Sequence, residues 1–371
     1  MRVMKRLQHF VTAILLGLLL SSISPIHAQI VPREGAQQFA EFGEFALQSG
    51  GVIADFRLGY RTLGKLNAEK SNAVLWPTWL GGKSQDLLQF AGPGKVVDTN
   101  QYFAILVDAI GNGVSSSPSN NKKQARMNFP EFTVRDMVKA EHRLATEVLH
   151  LSHLRAVVGL SMGGMQAFEW ATAYPDFVDL VVAMAGSPQS TSYDKLLWTA
   201  EIDAIELDPA WNHGNPTGPL SRGIALEQEI ECMRDTSPGY RVSQTTPAAF
   251  PAFLEALRKG AQADGGTASD QIRQRQAILS LDIPGEYGGT MEQAAARIHA
   301  KLLVIVSPQD HTVNPDPAMR FAAAAHAPLV KLDSPCGHQS FACISVGPTV
   351  ARFLADPASV HSETLVDPVH H

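Results

Sequence analysis

The run Ala156-Val157-Val158-Gly159-Leu160-Ser161-Met162-Gly163-Gly164-Met165-Gln166-Ala167-Phe168 constrains this chain more than any other stretch. It opens as a short apolar segment of strand character, breaks at a glycine, presents one serine, and resumes as a helix of small and apolar residues. Gly159 to Gly163 fit G-x-S-x-G, a strand-to-helix turn that lifts a serine hydroxyl above a parallel sheet. Small neighbours are needed because the serine backbone is strained and strand and helix approach closely. A serine between glycines is by itself an ordinary turn. Here a strand precedes it, a helix follows, and an aspartate and a histidine come later in the order such a site uses.

The N-terminus reads differently. Met1 to Arg6 carries Arg2, Lys5 and Arg6, Phe10 to Leu20 is apolar, and Ser21 to Ala28 ends in Ile26-His27-Ala28. The apolar run is too short to cross a bilayer core as a mature helix, so residues 1–28 are expected to be a cleaved signal peptide and the protein periplasmic or secreted. A net charge of −6 without any basic run gives no footing for nucleic acid, or for stable membrane association after cleavage. Cys232, Cys336 and Cys343 allow at most one intramolecular disulfide and one leftover thiol, and Cys336 reads as buried and structural. With neither H-E-x-x-H nor a paired C-x-x-C, no metal and no cofactor is expected.

Residues 29–186 read as the first part of a core. Glu44 to Gly64 alternates about Ser49-Gly50-Gly51 as a hairpin, and Ala73 to Thr78 and Tyr102 to Asp108 read as strands. Thr133 is placed to cap a helix over Val134 to His150, and Leu180 to Gly186 is the next strand. Strands and helices alternating at this spacing predict a mostly parallel, doubly wound α/β sheet. The alternation stops near Ser187 and returns at Lys301. Residues 187–300 are helical in part and broken by Pro209, Pro216, Pro219 and Gly265-Gly266, which predicts a helical lid inserted between core strands. Residues 301–356 complete the core through Leu302 to Val306, Pro328 to Asp333 and a helix over Ser340 to Ala355. Residues 357–371 are expected to be a flexible tail.

Asp310 and His338 each follow a predicted strand end, on the edge where Ser161 emerges and where sites of open parallel sheets gather. His338 would take the serine proton, while Asp310 would fix the imidazole tautomer and stabilise its cation. His311 adjoins Asp310 in one loop and cannot easily face it, His326 falls in a helix, and Asp316 would serve only if the turn were displaced. Two backbone donors are expected for an oxyanion, Met162 after the serine and Leu80 in the loop Leu80-Gly81-Gly82. Gly81 would let that loop approach the substrate.

At these residues the chain resembles the homoserine O-acetyltransferase branch of the α/β-hydrolase superfamily. The matching runs are Tyr60 to Asn67, Ser71 to Leu75, Gly92 to Lys95 with Asp98-Thr99 and Tyr102-Phe103, Phe129-Pro130 with Thr133 to Val138, and Ser161 to Gln166. The resemblance implies an α/β-hydrolase fold, the triad and an acyl-enzyme. In that family an aspartate follows the catalytic histidine and helps hold the substrate's amino group; here that position is Gln339. A lid arginine with a tyrosine seven residues on lies near the substrate carboxylate; here they correspond to Arg222 and Glu229.

Three readings follow. The first is an exported serine hydrolase acting on a small-molecule ester or amide; the second is an acyltransferase with a donor other than CoA, which forms the same acyl-enzyme and passes the acyl group to a nucleophile other than water. The third is a binding protein on the same fold, since fold alone proves no activity. A homodimer is left open. All proposed catalytic groups lie outside residues 187–300, so the lid is expected to select the substrate.

Overall fold

The computed structural model describes residues 33–368, so the expected signal segment lies outside the described residues. The strands are β1 (Gln38–Ala46), β2 (Val52–Leu63), β3 (Ala73–Pro77), β4 (Ala91–Gly92), β5 (Val97–Asp98), β6 (Phe103–Val107), β7 (Leu154–Leu160), β8 (Val178–Met184), β9 (Lys301–Val306), β10 (Leu329–Asp333) and β11 (Glu363–Val366). The helices are α1 (Val134–Arg143), α2 (Met162–Ala173), α3 (Ser192–Glu206), α4 (Arg222–Arg234), α5 (Pro238–Gln244), α6 (Phe250–Gly260), α7 (Gly265–Leu279), α8 (Ile283–Glu286), α9 (Met291–Ala295), α10 (Asp316–Ala324), α11 (Ser340–Cys343) and α12 (Gly347–Ala355).

One nine-stranded sheet runs in the order β1-β2-β6-β3-β7-β8-β9-β10-β11, with β4 and β5 paired apart. Only the β1–β2 and β2–β6 pairings are antiparallel. From β3 to β10 the strands are parallel, so the loops that leave β3, β7, β9 and β10 open on one edge. Strand pleating sends neighbouring side chains to opposite faces. Val157, Val181 and Val304 are buried with Met137 of α1, Phe168 of α2 and Phe321 of α10. Val158, Val182 and Ile305 are buried on the other face with Val350 and Phe353 of α12. Continuous apolar strands of this kind are what a sheet covered on both faces requires.

Thr133 does cap α1. Its hydroxyl accepts from the Asp136 amide, and the Asp136 carboxylate accepts from the Thr133 amide at 2.9 Å, a reciprocal pair that satisfies two donors at the helix start. The regular helix stops at Arg143, and a π turn covers Leu144–Val148.

Seven helices, α3 to α9, lie between β8 and β9. They bury an apolar cluster of their own that includes Ile202, Ile205, Trp211, Ile224 and Ile272. Gly265-Gly266, expected to interrupt helix, instead opens α7, because the Asp264 carboxylate accepts from the Gly266 and Thr267 amides. Among the described residues, no helix is long and apolar enough to cross a membrane.

The C-terminal segment departs from expectation. Beyond Asp356 the chain is not a free tail: β11 pairs in parallel with β10, Val360 is buried, and the Ser334 hydroxyl donates to Asp367 at 2.7 Å. The open edge of β10 supplies unpaired backbone groups, and Thr364-Leu365-Val366 has the β-branched character to meet them. The expected closing helix is divided into α11 and α12, with Pro348 in the first turn of the second.

Candidate active site

Ser161 stands between β7 and α2 with φ 58° and ψ −123°, and its N–H donates to the Met184 carbonyl at 2.8 Å. The elbow tolerates no larger flanking residues. A Cβ on Gly159 would lie 1.9 Å from the Gly163 carbonyl oxygen, and one on Gly163 would lie 2.6 Å from that of Pro77. The strain at Ser161 is thus held in place by the strand and helix packed around it.

The Ser161 hydroxyl lies 3.0 Å from His338 Nε2, and His338 Nδ1 lies 2.7 Å from Asp310 Oδ2. A carboxylate beside Nδ1 fixes the proton there, so Nε2 is the acceptor facing the serine. Asp310 is itself held by the amides of Thr312 and Val313, which donate to Oδ1 at 2.8 and 2.9 Å. Burial alone would lower the His338 pKa. The Asp310 charge and hydrogen bond, with Asp235 behind them, outweigh that burial and an opposing Arg234, so the net shift is upward. This arrangement can accept a proton from a hydroxyl, stabilise the resulting imidazolium, and return the proton to a leaving group.

The other candidates stand apart. His311 is engaged through its carbonyl, which accepts from Tyr193; Asp316 is exposed at the start of α10; His326 follows that helix with a φ of 51°. Met162 opens α2, where the first amides have no partner inside the helix. Leu80 borders the cavity described below. In its turn, the Gly81 amide donates to Gln274 Oε1 at 2.8 Å and the Gly82 amide to the Trp79 carbonyl at 3.0 Å. Gly81 is therefore committed to a protein partner and does not border the cavity, contrary to its expected contact with substrate.

A cavity of about 620 Å³ opens over Ser161 and His338. Trp76, Trp79, Phe90, Met184, Trp198 and Phe341 give it a largely apolar wall. Its charged groups, Glu231, Arg234 and Asp235, come from the end of α4. Arg222 begins that helix in solvent and does not reach the cavity, and Glu229 pairs with Arg258 at 2.7 Å instead of facing it. Gln339 does border the cavity, but its amide nitrogen donates to Asp235 Oδ2 at 3.0 Å.

Arg234 carries no obvious sequence signal, and it is no spare cation. It is buried over Trp198, with Nε on Glu201 at 2.5 Å and Nη1 on Asp235 at 2.6 Å and Thr312 at 3.1 Å. Glu201 is shared with Arg275 at 2.7 Å, and Arg275 also pairs with Glu227. Burial pushes Glu227 up to about 7 and raises Glu231 as well. Gln274 carries no such signal either; it lies on α7, and its Nε2 donates to the Ile110 carbonyl at 2.9 Å.

Cys336 and Cys343 are joined by a disulfide that brackets His338, and Cys232 is the free thiol. Cys336, Cys343 and Asp367 stand close enough to share a metal ion, but the two sulfurs are bonded to each other.

A family model for the alpha/beta hydrolase fold matches residues 76–216. The chain is 32% identical over 279 residues to an ethyl acetate hydrolase of Pseudomonas veronii, covering 73% of this chain and 80% of that protein. It is 29% identical over 348 residues to a homoserine O-acetyltransferase of Zymomonas mobilis, covering 81% of this chain and 90% of that one. Among solved structures, the acetyl esterase MekB superposes with a TM-score of 0.79 at 28% identity, covering 87% of this chain and 98% of that one.

Proposed function

This chain belongs to the α/β-hydrolase family, in its homoserine O-acetyltransferase-like branch of esterases and acyltransferases, and from that premise we propose that it is a serine esterase cleaving small neutral esters through an acyl-enzyme on Ser161. One observation carries the reading. The Ser161–His338–Asp310 relay opens into an apolar cavity whose one bordering guanidinium, among the described residues, is already held by Glu201 and Asp235. A substrate carboxylate would find that guanidinium neutralised and Asp235 beside it, whereas a short acyl ester needs only apolar contact and an oxyanion site. Similarity to an ethyl acetate hydrolase supports the same class of substrate.

In the proposed reaction, Ser161 Oγ attacks the ester carbonyl as its proton passes to His338 Nε2. The Met162 and Leu80 amides receive the developing oxyanion. Collapse breaks the acyl–oxygen bond and the alcohol leaves with the proton from His338. Water, deprotonated by the same imidazole, then attacks the acyl-enzyme and releases the free acid and Ser161. Each lost oxyanion donor would cost on the order of 10²–10³ in kcat.

The proposal includes export with cleavage near Ala28. The charged start and short apolar run support it, as does a disulfide beside the site, since such bonds persist in oxidising compartments. N-terminal sequencing of protein from the periplasm or medium tests this, and an intact Met1 in a membrane fraction would contradict it.

The chemistry is tested by labelling with a fluorophosphonate and mapping the adduct by mass spectrometry. The adduct is expected on Ser161 alone, with acetate released from ethyl acetate by unlabelled protein. An adduct elsewhere, or none, would refute the reading.

A further inference from the structure

Three segments of different origin meet behind His338: the histidine loop at Pro335–Gln339, the acid turn at Gln309–Thr312, and the end of α4 with the residues that follow it, Arg234 to Ser237. The first two belong to the core and the third to the inserted helices. We propose that Asp235, the residue after α4, is a positioning residue that locks the histidine loop to the acid turn and so holds His338 between Ser161 and Asp310. This inference rests on the esterase reading above and assigns the inserted helices a part in the chemistry.

The contacts converge on one side chain. Asp235 Oδ1 accepts from the Thr312 hydroxyl at 3.0 Å and from Arg234 Nη1 at 2.6 Å, while Oδ2 accepts from Gln339 Nε2 at 3.0 Å. Thr312 is the residue whose amide donates to Asp310 Oδ1, and Gln339 directly follows His338. One carboxylate thus bridges Thr312, which holds Asp310 through its amide, and Gln339, which follows His338. The backbone repeats the linkage: the Asp235 carbonyl accepts from the Gln339 amide at 3.2 Å, and the Ser237 amide donates to the Pro335 carbonyl at 3.0 Å.

Packing shows how tight the junction is. Gly337 has a φ of 61°, and a Cβ there would lie 3.0 Å from Thr236 Cα and 3.1 Å from the carbonyl oxygens of both Asp235 and Gln309. All three segments therefore touch at one glycine, where neither the backbone conformation nor the space suits another residue. The Asp235 carboxylate also has a fixed orientation, because Arg234 is itself pinned by Glu201 of α3. A group restrained from both sides can transmit its position to its partners, and a misplacement of about 1 Å in a site of this kind costs on the order of 10²-fold.

The test measures steady-state hydrolysis of 4-nitrophenyl acetate by Asp235→Ala, Asp235→Asn and Gln339→Leu, with circular dichroism to verify folding. Asp235→Ala is expected to lower kcat by roughly 10- to 100-fold while KM stays within about threefold, the pattern of lost alignment. Asp235→Asn keeps an acceptor for Thr312 and should recover part of that loss. The charged groups facing His338 are Asp310, Asp235 and Arg234, so removing one negative charge should also move the acid limb of the Asp235→Asn profile to lower pH. Gln339→Leu, at an exposed position, tests the bridge should Asp235→Ala fail to fold, with an expected kcat loss of roughly 3- to 10-fold. A rise in KM with kcat unchanged would make Asp235 a substrate contact and overturn the proposal, as would unchanged kinetics in both. Should the wild type not hydrolyse the ester, the esterase reading fails on its own. The proposal is then judged by the rate of fluorophosphonate labelling at Ser161, which a tenfold slowing in Asp235→Ala would support and an unchanged rate would overturn.

Discussion

Ser161→Ala should abolish ester turnover, and His338→Ala should cost a comparable factor, because the groups act as one unit. Asp310→Asn should cost on the order of 10⁴ by favouring the wrong imidazole tautomer. The pH profile follows from the direction of the histidine shift. His338 must be neutral to accept the serine proton, and its folded pKa lies above the ordinary value of about 6.5. Activity should therefore fall as the pH drops through a midpoint above about 6.5, and a stopped-flow or pH-stat profile with its acid limb well below that value would contradict the assignment. That Ser161, Asp310 and His338 would meet could be read from the sequence, because each follows a strand end and their order along the chain is restrictive. The placement of Arg234 and Asp235 at the cavity, and of Gln274 against the Gly81 turn, could not, since it arises only through the tertiary packing of helices that share no periodic signal with the core.

At the scale of elements, α3, α4 and α7 are joined by buried charges as well as by the apolar cluster of Ile202, Ile224 and Ile272. Glu201 is fully buried and accepts from Arg234 and Arg275 at once. Glu201→Gln should leave both guanidiniums under-compensated and destabilise the protein by about 3–5 kcal/mol, read as a shift in the denaturant midpoint. A change below about 1 kcal/mol would mean that the cluster does not hold these helices together. The histidine loop has its own staple in Cys336–Cys343, which closes a short ring around His338 and Phe341. Constraint of a loop this short contributes roughly 2–3 kcal/mol in the chain-entropy account. Reduction should thus lower the thermal midpoint and kcat together, and an unchanged kcat in fully reduced protein would show that the loop keeps its shape without the bond. Gly265-Gly266, expected to break helix, and residues 363–366, expected to lie in a flexible tail, depart from the sequence reading for opposite reasons. The Asp264 cap overrides the breaking tendency of Gly265-Gly266, whereas β11 forms by pairing with the edge of β10 far away in sequence.

For the whole molecule, the parallel sheet was legible because strands such as β3, β6 and β9 are near-continuous apolar runs and α1 opens at the Thr133 cap. The charged wall of the cavity was not, because it is set by how the inserted helices pack over a site that no local motif describes. Glu231, the neutralised Arg234 and Asp235 border that cavity, and Gln339 is spent on Asp235. Such a wall offers a zwitterionic amino acid no free counter-charge for its carboxylate, while water needs none. The decisive measurement is the partition of the acyl-enzyme: 4-nitrophenyl acetate is supplied with millimolar homoserine, and acetate and O-acetylhomoserine are quantified by mass spectrometry. Free acetate should be the dominant product, at a rate that homoserine leaves unchanged. O-acetylhomoserine as the main product would contradict the esterase account and make the chain an acyltransferase.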